Sequence, residues 1–318
     1  MINKEKAQEI AEFHYLHGKS ETMTAYTLSE ETLNRYLRQA KLYDVPEVDK
    51  SKLLSKIAST YSDAELKAIA NGGRIVPGMT KVPVISFEGE HIRIGVITDT
   101  HIGNKCFSEQ RLFQAFEEFQ KEKVDFIAHA GDVTEGMSNR PGHVYELDQI
   151  GYAKQKEYAI RLFSQWQDTE IYALSGNHDS WFEKSNGALI VQDIATSLNN
   201  FTYLGYGEGD ISLKGKATLK LWHGEDGNSY ALSYRLQKIA ESLSGGEKPQ
   251  AMICGHTHKY VKIFERNIHI VSAGSIESQT PWMRGKRIAA HVGFVIIDVW
   301  VNDAGICKFS DTWYPFYT

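Results

Sequence analysis

Residues 96–104, "VITDTHIGN", climb an apolar run and stop on a carboxylate and an imidazole set two positions apart. Upstream, Ile92, Ile94 and Val96 alternate with other residues, which is the period of a strand with one face in a core. Asp99 and His101 follow where that strand ends and the chain turns. A single D-x-H is ordinary turn chemistry, because Asp, Thr and Gly favour turns for local reasons. Its meaning depends on whether the event recurs.

It recurs four times. "DFIAHAGDV" ends a strand at Asp132, "IYALSGNHD" ends one at Asn177, His178 and Asp179, "LKLWHGE" ends one at His223, and "AMICGHTH" ends one at His256 and His258. Each apolar run stops at a small or polar residue and then presents an oxygen or nitrogen ligand. Neighbouring glycines permit tight turns and close backbone approach, and open α/β sheets place their sites at the carboxyl ends of strands. His14, His129 and His269 lack this setting and are read as packed histidines satisfied by hydrogen bonds.

Composition narrows the class. With 318 residues, 42% hydrophobic and 24% charged, the chain has room for one large core and something smaller. A net charge of −5 argues against coating nucleic acid by bulk charge, so any such contact must come from a local basic patch or a metal site. Cys106, Cys254 and Cys307 are sparse, odd in number and free of C-x-x-C spacing, which argues against a disulfide framework and a thiolate zinc site. "MINKEKAQEIAEF" has no apolar signal-peptide core, and "GFVIIDVWV" is broken by Asp298, so the expectation is a soluble cytoplasmic protein.

Along the chain, strand-like runs alternate with amphipathic helices from about residue 91, a layered α/β pattern. "SEQRLFQAFEEFQKEK" (108–123) predicts a helix capped by Ser108 with Leu112, Phe113, Phe116 and Phe119 as its buried stripe, and "SYALSYRLQKIAESLSGG" (229–246) predicts another closed by Gly245. Residues 46–90 read as a linker in which "SDAELKAIANGG" (62–73) forms a helix and Pro77 and Pro83 keep the chain extended. Residues 1–45 read as three short helices, with Gly18 closing the first, Ser20 capping the second and Ser29 capping the third. Leu33, Leu37 and Ala40 of the third face inward, whereas Arg35, Arg38 and Lys41 lie three apart on its outer side. This segment resembles a helix-turn-helix, which implies DNA contact through those three cations. The alternative is a helical interaction module for a protein partner with a solvated basic face.

Taken in order, D-x-H, G-D, G-N-H-D, H and G-H-x-H resemble the calcineurin-like metallophosphoesterases over roughly residues 91–300, within a domain read as 91–318. The resemblance implies an α/β fold, a four-layer α-β-β-α sandwich, and two divalent ions sharing one aspartate. By that resemblance Asp99, His101, Asp132 and His258 hold the first ion, and Asp132 with Asn177, His223 and His256 holds the second. His178 stands beside the pair as a proton donor or transition-state stabiliser, with Asp179 as its orienting partner. Mixed imidazole and carboxylate donors suit Mn²⁺ best, with Fe²⁺ and Zn²⁺ as alternatives, over Ca²⁺ or Mg²⁺. Two ions about 3.5–4 Å apart acidify a bridging water and clamp phosphoryl oxygens.

The linking stretches "TDTHIGNKCF", "AGDVTEGMSNRPGHVYELDQ" and "SAGSIESQTP" are similar to the small, 3′→5′ exonuclease subunit of archaeal D-family DNA polymerase and to SbcD-type nucleases. That subunit family carries an OB-fold before its phosphoesterase domain, where this chain has a helical segment. The resemblance implies a metal-dependent phosphodiesterase acting on DNA, with a phosphomonoesterase, a cyclic-nucleotide phosphodiesterase or a DNA-binding regulator on a non-catalytic scaffold as alternatives. The loop after Asp132 offers Arg140 and His143 to substrate phosphates. "TPWMRGKRIAAH" (280–291) offers Trp282 beside Arg284, Lys286 and Arg287, a pairing suited to single-stranded nucleic acid.

Overall fold

The computed structural model describes residues 4–40, 55, 82–224, 229, 231–243 and 248–317. The chain divides into two compact units, Met1–Gly78 and Met79–Thr318. In the first, α1 (Lys4–Ala25) is interrupted at Gly18, whose φ of 79° breaks the helical path, and α2 (Glu30–Ala40) follows. The interruption separates two helical pieces, so the three short helices are present. Ser29 caps α2 by accepting from the Thr32 amide at 3.3 Å. Ala7, Ile10, Thr22 and Leu33 are buried, while Arg35 and Arg38 are exposed. Lys41 and the helix expected over 62–73 lie outside the described residues.

The second unit is built on two six-stranded sheets. In the first, β2 (His91–Ile97), β3 (Phe126–His129), β4 (Glu170–Ser175) and β5 (Phe201–Tyr206) run parallel in that order. Two antiparallel strands, β11 (Gly293–Asn302) and β12 (Gly305–Pro315), extend it beyond β2. The other sheet has the order β1 (Val84–Ile85), β6 (Glu208–Leu213), β7 (Ala217–Trp222), β8 (Ala251–Cys254), β10 (Ile268–Ala273), β9 (Tyr260–Glu265). Strand β1 lies within the segment read from sequence as linker. Its parallel pairing with β6 places Val84 and Ile85 in this sheet.

Between the sheets, Ile92, Ile94, Val96, Leu219, Leu221 and Ile253 belong to one apolar layer. The outer face of the first sheet packs on α3 (Glu109–Lys121), α4 (Tyr152–Phe163) and α6 (Ile190–Ser197), through residues such as Phe116, Phe163 and Ile194. The outer face of the second packs on α7 (Tyr234–Ser242), with Leu236 and Ala240 against Met252 and Ile270. The result is a four-layer α-β-β-α sandwich. Strand β2 is buried on both faces, not one, because sheet lies on one side of it and helices on the other: Ile97 joins the helical layer while Val96 joins the inter-sheet layer.

Ser108 caps α3 by accepting from the Arg111 amide. The buried stripe of α3 is Leu112, Ala115, Phe116 and Phe119, with Phe113 only half-buried. Helix α7 begins five residues later than the sequence pattern suggests, and Gly245 lies outside the described residues.

Candidate metal centre

The carboxyl ends of β2, β3 and β4 from one sheet and of β7 and β8 from the other open onto one place. They deliver Asp99 and His101, Asp132, Asn177 with His178, His223, and His256 with His258 respectively. Asp99, His101, Asp132, His256 and His258 all adopt positive φ, between 48° and 73°. For non-glycine residues that conformation costs about 1–3 kcal/mol each and persists only where surrounding bonds over-determine it. Such bonds are present. The His256 amide donates to both oxygens of Asp99 (3.1 and 3.0 Å), Thr98 Oγ1 donates to Asp99 Oδ2 (2.6 Å), and the His178 amide donates to Asp132 Oδ1 (2.8 Å).

Two glycines let these ends meet. A Cβ on Gly131, whose φ is 97°, would stand 2.4 Å from His223 Nδ1, and one on Gly176 would stand 2.3 Å from Asp132 Oδ1 and 2.5 Å from His223 Nε2. No side chain fits there.

The tautomers follow from the partners. His223 Nδ1 is 2.6 Å from the Ala130 carbonyl, which can only accept, so Nδ1 carries the hydrogen. Its Nε2 then faces Asp132 Oδ2 at 3.0 Å without the alignment a hydrogen bond requires. His101 Nδ1 likewise donates to Glu135 Oε2 (2.8 Å), which leaves His101 Nε2 3.1 Å from His258 Nε2, 3.8 Å from Asp132 Oδ2 and 3.9 Å from Asp99 Oδ1. His256 Nδ1 lies 2.9 Å from Asn177 Oδ1. Buried lone pairs and carboxylate oxygens that face one another need a cation among them.

Protons can fill that need in part. Burial opposes charge on His223, but Asp132 outweighs it and lifts the imidazole to about 9. Burial likewise opposes charge on His101, yet Glu277, Asp99 and Glu135 hold it well above its ordinary value. His256, by burial and then by the neighbouring His223, is pushed down to about 4. Metal ions satisfy the same field better, since Asp99, His101 and His258, and separately Asp132, His223 and His256, each offer ligand atoms within 4.8 Å of one another. Nitrogen and carboxylate donors without thiolate suit Mn²⁺, Fe²⁺ or Zn²⁺.

His178 is half-buried at the rim. Its Nδ1 lies 3.1 Å from the Glu135 carbonyl, and the ring lies against Trp181, tilted by 36° with centroids 4.0 Å apart. The Glu135 carbonyl stands at His178 Nδ1, where Asp179 is expected from the sequence. Asp179 is buried and accepts instead from the amides of Val133, Thr134 and Gly176 and from Thr134 Oγ1 (2.7–3.0 Å), tying the β3 and β4 ends together. Burial and the nearby Asp132 push its carboxyl up to about 6.

His143 also departs from expectation. It is fully buried, with Nε2 2.7 Å from Glu135 Oε1 and Nδ1 accepting from the Ser138 amide, so it cannot meet a substrate phosphate. Arg140 and Trp282 do line the cavity above the centre, a space of about 540 Å³. The Arg140 guanidinium is 5.9 Å from the Trp282 ring centroid and pairs with both oxygens of Glu146. Arg284, Lys286 and Arg287 are exposed and lie outside that lining. Of the packed histidines, His129 is buried with Nε2 on Thr100 Oγ1 (2.9 Å), and burial pushes it down to about 3.

Two carboxylates of the site escaped the sequence reading, Glu135 and Glu277, both buried. Glu277 had a signal of the kind already used: "IHIVSAGSIE" (268–277) is a further apolar run that stops at a glycine and then offers a carboxylate. Glu135 had none, because it follows Asp132 in what reads as a polar loop.

A strand-end cluster of Asp, His and Asn between two stacked sheets defines a phosphoesterase scaffold, and the chain belongs to the calcineurin-like phosphoesterase family, whose model matches residues 92–260. Its curated relatives include two proteins called DNA polymerase II small subunit. The one from Methanothermobacter thermautotrophicus is 25% identical over 258 residues, covering 67% of this chain and 53% of the relative. The one from Halobacterium salinarum is 22% identical over 266 residues, covering 69% and 50%. The chain therefore spans about half the length of the curated relatives it matches. A solved structure described as a novel archaeal phosphodiesterase is similar at 17% identity, covering 70% of this chain and 100% of that one, with a TM-score of 0.41. Among the described residues no helix is long and apolar enough to cross a membrane.

Proposed function

We propose that this protein is a dinuclear-metal-dependent phosphodiesterase that acts on DNA, with the 3′→5′ exonuclease chemistry implied by its resemblance to the small subunit of archaeal D-family DNA polymerase. The observation that carries the reading is the sharing of Asp132. Its Oδ2 faces His223 Nε2 at 3.0 Å on one side and His101 Nε2 at 3.8 Å on the other. Asp99, His101, Asp132 and His258 would hold one ion; Asp132, Asn177, His223 and His256 would hold the second. When bound, such a pair supplies an activated water and positive charge for the phosphoryl oxygens.

The chain's own groups do the rest. With Nδ1–H donated to the Glu135 carbonyl, His178 turns Nε2 to the cavity, where it delivers a proton to the leaving oxygen. Trp181, packed against that ring, limits its rotation. A cavity of about 540 Å³ is within the range that takes a nucleotide-sized group, and Trp282 at its rim, 45% exposed, gives a base a face to stack on. Arg140 beside it supplies charge for a phosphate. For α2, Arg35 and Arg38, with Lys41 beyond the described residues, form the proposed DNA-contacting row.

The test is purified protein with Mn²⁺ against end-labelled linear and closed circular single-stranded DNA, beside a chromogenic phosphodiester and a chromogenic phosphomonoester. Release of mononucleotides from linear DNA alone is the expected result. Efficient hydrolysis of the phosphomonoester with both DNAs intact would overturn the reading.

A further inference from the structure

We infer that Glu277 is a third carboxylate ligand of the first metal ion, added to Asp99, His101, Asp132 and His258; the inference rests on the dinuclear reading above. Glu277 comes from a sixth strand end. Strand β10 stops at Ala273, Gly274 turns with a φ of 80°, and the next residues are stitched to the end of β2. The Ile276 amide donates to the Thr98 carbonyl (3.3 Å), the Glu277 amide to the Asp99 carbonyl (3.2 Å), and Ser275 Oγ to the same Asp99 carbonyl (3.0 Å). That seam fixes Glu277 beside the first group of donors.

Its side chain is only 2% exposed and lines the cavity. Oε2 is 3.9 Å from His101 Nε2, while Oε1 is buried with no hydrogen-bond partner. His101, Glu135 and Glu277 offer ligand atoms within 4.8 Å of one another. Glu135 is already committed, one oxygen to His101 Nδ1 and the other to His143 Nε2. Glu277 is the carboxylate left over. A buried carboxylate with a vacant oxygen, set near Asp99, Asp132 and Glu135, keeps its charge only against a cation and without one holds its proton.

Two consequences follow. Three carboxylates and two imidazoles exceed the four donors of tetrahedral Zn²⁺ and suit the five- or six-coordinate, oxygen-tolerant Mn²⁺. Two divalent ions against Asp99, Asp132 and Glu277 also leave one net positive charge where two aspartates alone would leave two. That favours a singly charged diester over a doubly charged monoester.

The experiment is Mn²⁺ and Zn²⁺ titration of the metal-stripped protein by calorimetry, with metal content by mass spectrometry, for wild type, Glu277→Gln, Glu277→Asp and Asp132→Asn. Wild type should bind two Mn²⁺. Glu277→Gln should weaken one of them by at least about tenfold, the least that losing even an outer-shell partner costs, weaken Zn²⁺ less, and melt no lower than wild type without metal. Glu277→Asp should recover part of the Mn²⁺ affinity. Two unchanged Mn²⁺ affinities in Glu277→Gln would overturn the inference and leave the dinuclear reading standing. So would a drop in melting temperature that is equal with and without Mn²⁺, which marks a packing role. A wild type with no second ion, or an Asp132→Asn variant that keeps two, would overturn the dinuclear reading itself.

Discussion

The floor and the rim of the cavity are built on different terms. On the floor, Asp99, His101, Asp132 and His223 are buried, backbone amides pin the aspartates, and each imidazole has a tautomer set by its outer partner. At the rim, Trp282 is 45% exposed and Arg140 is held by an ion pair with Glu146 on the surface. Exposed pairs of that kind contribute at most about 1 kcal/mol and reorganise easily. The floor is preorganised for one charge pattern, whereas the rim can adapt to what is brought to it. Reaction class belongs to the first and substrate choice to the second.

That contrast can be broken most sharply at Asp132, the group both donor sets use. Asp132→Ala is expected to abolish uptake of both ions, measured by mass spectrometry, and to reduce hydrolysis to background. A variant that retains even one tight ion would show the floor to be less interdependent than its geometry requires. Next in size is His178→Ala, which should keep both ions and lower kcat by about 10²–10⁴, the span of proton-transfer catalysis. Loss of metal there would move His178 from rim to floor.

A smaller effect concerns protons. In metal-free protein His223 sits at about 9, so below that pH an incoming ion must displace a proton. Apparent affinity at the second site should therefore fall by about tenfold for each unit the pH is lowered below 9, read by titration at several pH values. A pH-independent affinity would mean that His223 carries no proton for the ion to displace. The smallest effect belongs to the rim. Trp282→Ala should raise KM for single-stranded DNA roughly fivefold, the low end of what base stacking supplies, and leave the chromogenic diester untouched. An equal loss on both substrates would make Trp282 part of the floor's support.

Legibility divides along the same line. The strand ends were visible because β-strands write themselves as apolar runs, and a polar ligand at the end of one stands out. Glu277 obeyed that grammar and was still passed over, since Ser, Gly and Glu after a strand also read as a turn. Glu135 stands at His178 in place of Asp179 for a different reason. Asp179 adjoins His178 in sequence, but the turn at Gly176 points its oxygens back to Val133 and Thr134. Glu135, from another strand end, fills the space beneath the His178 and His101 rings. His143 looked exposed because polar, glycine-punctuated loops lie on surfaces, yet its ring closes the buried Glu135 network.

By itself the sequence determined the layers, the strand ends and the donor types, because periodicity and residue chemistry are local properties written along the chain. Only the tertiary structure decided which donor faces which, which carboxylate is spent on a hydrogen bond and which is left over. Those outcomes depend on distances of 3–4 Å between segments far apart in sequence, and on a buried setting in which each lone pair must find a partner.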